Sequence, residues 1–95
     1  MTVKELTAVE KEILLIAQEE CAEVTQAISK IFRFGLDSVH NDKTNKEHLE
    51  EEIGDLICMF RLLEETYLID WAKVSMHSDR KRMKLEMWSN IYQKV

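Results

Sequence analysis

The chain contains no proline, and only two of its 95 residues, Gly35 and Gly54, are glycine. Those two residue types interrupt helices most often, so their scarcity points to long helices and an all-α fold. Cysteine is equally scarce. Cys21 and Cys58 are too few for a disulfide framework or a thiolate metal cluster, and both fall beside apolar residues in helical patterns. They read as core thiols of a protein kept in a reducing compartment. No window approaches the ~18 consecutive apolar residues of a membrane span. The N-terminus also lacks a basic segment followed by an apolar run. A cytoplasmic protein without membrane contact is the expectation. Basic charge is in deficit too, with a formal net charge of −5, which argues against nonspecific nucleic-acid binding.

What is present fits one small globular domain over residues 1–95, with 45% hydrophobic and 33% charged residues. A chain this short is near the lower limit for burying its own core, and oligomerisation eases the shortage. Charge is segregated along it. Residues 1–70 hold seven Lys/Arg against sixteen Asp/Glu, whereas residues 71–95 hold six against two.

Thr7-Ala8-Val9-Glu10 has the form of a capping box, with a hydroxyl three residues ahead of a carboxylate. Ile13, Ile16, Ala17, Val24, Ala27, Ile28 and Ile31 then keep helical spacing up to Gly35, predicting a first helix over 8–34, about 40 Å long. Residues 36–43 are polar and without period and read as a loop. Thr44-Asn45-Lys46-Glu47 is a second capping box, opening a helix to about residue 67 with the stripe Leu49, Ile53, Leu56, Phe60 and Leu63. Gly54 inside it predicts close approach of another helix or a ligand. Asp70 caps a third helix over about 71–93, with a break possible at 75–79.

Acidic residues intrude on this apolar pattern. Glu20 lies between Ile16 and Val24 at helical spacing, Glu52 between Leu49 and Leu56, and Asp55 precedes Cys58 and Met59 by one turn. An ionised carboxylate buried alone costs several kcal/mol, so either the faces are wet or a cation compensates them. As a pattern the chain has Glu19-Glu20-x-x-Glu23 and Glu52-x-x-Asp55, separated by residues 24–51. Two antiparallel helices joined by the loop at 36–43 bring these motifs within about a turn of each other. Hard oxygen donors without imidazole or thiolate suit Mg²⁺, or Mn²⁺. Di-iron bundles use Glu-x-x-His, and no Glu here has His three residues later. His40, His48 and His77 show no pairing in the sequence and stay unassigned. Trp71 and Trp88 read as core or subunit interface.

The two motifs together resemble the signature of the MazG-like all-α nucleoside triphosphate pyrophosphohydrolases. The likeness extends to Ser29-Lys30-Ile31-Phe32-Arg33-Phe34-Gly35 and to Glu51-Glu52-Ile53-Gly54-Asp55-Leu56, covering most of residues 12–65. The resemblance implies Mg²⁺-dependent cleavage of a (d)NTP between the α and β phosphates, giving the monophosphate and pyrophosphate. It implies a helical hairpin plus a third helix that forms a four-helix-type bundle in a homodimer or homotetramer. Position by position, Glu20, Glu23, Glu52 and Asp55 match the family's metal ligands, and Glu19 matches the acidic position that orients or deprotonates the attacking water. Phosphate charge then needs basic partners. Lys30 lies two turns beyond Glu23 with Arg33 a turn further, and Lys81 and Lys84 are preferred within the basic cluster of the third helix. Phosphoribosyl-ATP pyrophosphohydrolase, which shares the acidic pattern, is the neighbouring enzyme alternative. A helical interaction module without chemistry is the alternative of another class.

Overall fold

The computed structural model describes residues 5–92, three quarters of them helical. Helix α1 spans Ala8–Phe34, α2 Asn45–Glu65 and α3 Trp71–Trp88. Both expected capping boxes are formed: Thr7 Oγ1 accepts from the Glu10 amide at 3.0 Å and Thr44 Oγ1 from that of Glu47 at 3.1 Å, with each glutamate returning the bond. Each satisfies two amides that a helix start leaves without partners. Asp70 caps α3 through the Ala72 amide at 3.0 Å. α3 runs unbroken through 75–79 but ends at Trp88, short of the expected end near residue 93: Ser89 takes an extended backbone (φ −126°, ψ 170°) and its Oγ donates to the Leu85 carbonyl at 2.6 Å, closing the helix.

α1 ends at Gly35, whose amide donates to the Ile31 carbonyl at 2.8 Å. Its φ of 93° and ψ of 160° lie beyond the left-handed helical well, in a region essentially reserved for glycine. The chain then does something periodicity did not show. Residues read as a loop form a two-stranded antiparallel hairpin, β1 (Val39–His40) paired with β2 (Lys43–Thr44). Asn41 and Asp42 at its tip have φ of 52° and 65°, the conformation of a tight hairpin turn that Asn and Asp tolerate. Two-residue strands are too short to leave an alternating pattern, which is why the sequence reads as irregular.

α1 and α2 pack antiparallel. Ile13 and Ala17 meet Met59 and Leu63 in the buried cluster, with Ile16, Phe60 and Leu62 around it. Nearer the hairpin, Ala27 and Asn45 are buried on the same seam. α3 turns away at Tyr67, which takes φ 58°, and buries none of its residues. The helical hairpin is thus present in the single chain while the third helix packs on neither partner. The radius of gyration, 17.1 Å, exceeds the roughly 12 Å of a compact domain of this length.

One expectation is corrected and two are narrowed. Cys21 and Cys58 are exposed, because they stand one position from the seam residues Glu20 and Met59 and are turned outward by the helix. Gly54 faces open space, with nothing within 4 Å of where a Cβ would sit, so among the described residues no helix of this chain approaches it, which leaves a ligand or a second subunit as the expected neighbour. Trp71 and Trp88 are exposed in the single chain, since α3 buries none of its residues, which removes the core half of their reading and leaves the subunit interface.

Candidate metal centre

The acidic site lies on the same seam as the hydrophobic cluster, one turn nearer the hairpin. Ala17 is followed at i+3 by Glu20, and Met59 is preceded at i−4 by Asp55, so the positions that face across the apolar cluster are continued by carboxylates. Glu20, Glu52 and Asp55 each offer an oxygen within 4.8 Å of the others. Glu20 and Glu52 are half-buried and Asp55 is exposed, so the group is open to solvent on one side.

Three carboxylates this close repel one another. Burial, then the charges of Asp55, Glu23 and Glu19, pushes the Glu20 carboxyl up from its ordinary value of 4.5. Glu52 is raised by burial and by Glu23, Asp55, Glu20 and Glu51 in that order. Glu20 Oε2 is buried and accepts no hydrogen bond. An orphaned anionic oxygen beside two further carboxylates is what a hard divalent cation would satisfy, and the all-oxygen donor set fits one. Glu23 is exposed and lies close enough to raise both carboxyls. Glu19, also exposed, flanks Glu20 on the next helix position.

The basic residues separate into two groups. Lys30 lines a small cavity of about 40 Å³ together with Glu23, Gln26, Asn45, His48 and Glu52, and therefore stands at the site. Arg33 is turned onto its neighbour Phe34, the guanidinium 5.2 Å from the ring centre. Lys81 and Lys84 ride on α3 and line no cavity with the carboxylates.

The hairpin contributes residues that the sequence did not single out. It brings the rings of His40 and His48 to 6.4 Å, and His48 Nε2 donates to the His40 carbonyl at 2.9 Å, tying β1 to α2. Lys43 pairs with Glu51 at 2.8 Å, tying β2 to the same helix. Asn45, only 3% exposed, donates through Nδ2 to the Gly35 carbonyl at 2.9 Å and joins the two helix ends. These pairings span eight to ten residues and leave no periodic signal in the sequence.

A helical hairpin presenting carboxylates from both helices on one seam is an all-oxygen donor arrangement of the kind that suits a hard cation and phosphate chemistry. Residues 9–84 match the family model of the MazG nucleotide pyrophosphohydrolase domain. The chain belongs to that family, whose members are hydrolases acting on phosphoric anhydrides and use a divalent metal ion. No curated protein and no solved structure matches the chain. Among the described residues no helix is long and apolar enough to cross a membrane.

Proposed function

We propose that the protein hydrolyses a (d)NTP between the α and β phosphates, releasing (d)NMP and pyrophosphate with Mg²⁺ as cofactor. The observation that carries this reading is the cluster of Glu20, Glu52 and Asp55, with one buried oxygen left unpaired, in a chain of the MazG family. In this reading Glu20, Glu23, Glu52 and Asp55 hold the ion, which supplies positive charge to polarise phosphoryl oxygens; Mn²⁺ suits the same donors. Glu19, exposed beside Glu20, orients the attacking water and takes its proton. Lys30, facing Glu23 and Glu52 across the small cavity, neutralises phosphate charge that the carboxylates would otherwise repel. Arg33, Lys81 and Lys84 require movement, or a second subunit, to do the same.

A second copy also completes the bundle in this reading. Many large apolar side chains of the single chain are open to water, among them Leu15 at 60%, Phe32 at 86% and Met87 at 75% exposure. Such exposure is characteristic of surfaces that pack against another chain. A homodimer or homotetramer would cover them and would bring α3 of one subunit to the hairpin of another.

A pyrophosphate-release assay over canonical and modified NTPs and dNTPs, with Mg²⁺, Mn²⁺ or EDTA, tests the reaction. Metal-dependent pyrophosphate with stoichiometric monophosphate is expected. Release of orthophosphate, or turnover undiminished in EDTA, would overturn it.

A further inference from the structure

The proposed reaction uses none of the three histidines, and the hairpin brings two of them together. His40 stands on β1 and His48 in the first turns of α2, with ring centres 6.4 Å apart and the ring planes tilted by 48°. His40 is exposed and His48 half-buried, so water and ions reach the pair. His48 also lines the small cavity with Lys30, Glu23 and Glu52, but neither ring belongs to the cluster of Glu20, Glu52 and Asp55. The third histidine, His77, is exposed on α3.

The hydrogen bond between the two residues decides which nitrogen of His48 is free. A carbonyl oxygen only accepts, so the 2.9 Å contact puts a proton on His48 Nε2 and, in the neutral ring, leaves the lone pair on Nδ1. Histidines that bind a metal are held in this way, one nitrogen on the ion and the other N–H fixed on a carbonyl or carboxylate. The His40 ring makes no hydrogen bond among the described residues and can turn to offer either nitrogen. At metal–nitrogen distances of about 2.0–2.1 Å, two imidazoles on one ion have ring centres roughly 5–6.5 Å apart, from tetrahedral to linear bonding. The observed separation falls inside that range. Negative charge stands close by: Glu47 and Glu51, held down first by Thr44 and by Lys43 respectively, also feel the charge of His48. Glu47 Oε2 and Glu51 Oε1 take no part in the hydrogen bonds to those partners.

We propose that His40 and His48 form a second cation site, for a borderline transition-metal ion of the Zn²⁺ class, with water completing the coordination. Imidazole donors separate it chemically from the all-oxygen centre, which suits hard Mg²⁺. An ion held there joins β1 to α2 by a second link beside the bond from His48 to the His40 carbonyl, and so fixes the hairpin on the helix that carries Glu52 and Asp55. The site needs no nucleotide and is independent of the reaction proposed above.

Zn²⁺ titrated into protein saturated with Mg²⁺ tests it. At about five times its Kd, Zn²⁺ should raise Tm by about 4–8 °C. His40→Asn, which leaves in place the backbone carbonyl that His48 uses, should abolish that rise and leave Tm without zinc unchanged. Substoichiometric Ni²⁺, a paramagnetic ion, should broaden the imidazole resonances of His40 and His48 in the unaltered protein and spare those of His77, the control on α3. A zinc response of undiminished size in His40→Asn puts the ion elsewhere, at the carboxylates or at the exposed thiols of Cys21 and Cys58, and overturns the proposal. Equal broadening of all three histidines, or no zinc response at all, overturns it as well.

Discussion

Glu20 concentrates the energetics of the site. Its pKa and that of Glu52 are raised above 4.5 in the folded protein, so the folded state holds protons that the unfolded chain would release. The stabilising contribution of the protonated carboxyls is complete below pH 4.5 and is lost as pH rises through the raised values. In EDTA, Tm should therefore fall over that window, and divalent cation added at neutral pH should restore it by mass action. Glu47 and Glu51, held below 4.5 by Thr44 and Lys43 respectively, act in a separate window: their contribution is lost only as pH falls below that value. Glu20→Gln removes the repulsion. We expect a higher Tm than the unaltered protein in EDTA, little further rise with Mg²⁺, and activity lower by ~10²-fold or more, since even loss of outer-sphere partners of a metal costs about 10- to 100-fold. Tm with and without Mg²⁺ checks the point; a Mg²⁺ response of unchanged size would remove Glu20 from the ligand set.

Among the elements, α1 and α2 hold each other through a narrow seam, so single core contacts weigh heavily. Met59, 7% exposed between Ile13, Ala17 and Leu63, should cost about 2–5 kcal/mol on replacement by alanine, read from denaturant midpoints at constant m-value. Gly54 has the opposite sign. It sits exposed within α2 with open space at its Cβ position, so Gly54→Ala should stabilise a single chain by about 1 kcal/mol. A destabilising effect in the assembled protein would mean that a neighbouring subunit packs closely there, which is the approach the sequence pointed to and no helix of this chain makes. Helix positions were readable because 3.6-residue spacing and two capping boxes agree with each other. The hairpin at 39–44 was not, because it is held by pairings to α2, His48 with His40 and Glu51 with Lys43, that no local pattern encodes.

At the scale of the molecule, the described chain extends over 49 × 39 × 19 Å with α3 clear of the helical hairpin. The apolar side chains left open on α1, α2 and α3 are expected to be covered by a second copy. Sedimentation at micromolar concentration should give a dimer or tetramer. Leu15→Glu, at a position 60% exposed in the single chain, should shift it toward monomer without unfolding α1. A monomeric unaltered protein at those concentrations would refute the bundle completed between subunits.

Read by itself, the sequence determined three helices, their caps, and the two acidic motifs, because each depends on neighbours within one or two turns. It also carried the family, since Glu19-Glu20-x-x-Glu23 and Glu52-x-x-Asp55 stand out from apolar stripes. Tertiary structure decided which carboxylates meet. Glu20, Glu52 and Asp55 converge because the Ala17–Met59 packing sets the axial register of the two helices, a long-range contact no local spacing specifies. It also decided that Asn45 closes the hairpin end against Gly35, while Lys81 and Lys84 remain on a helix whose packing partner this chain does not supply.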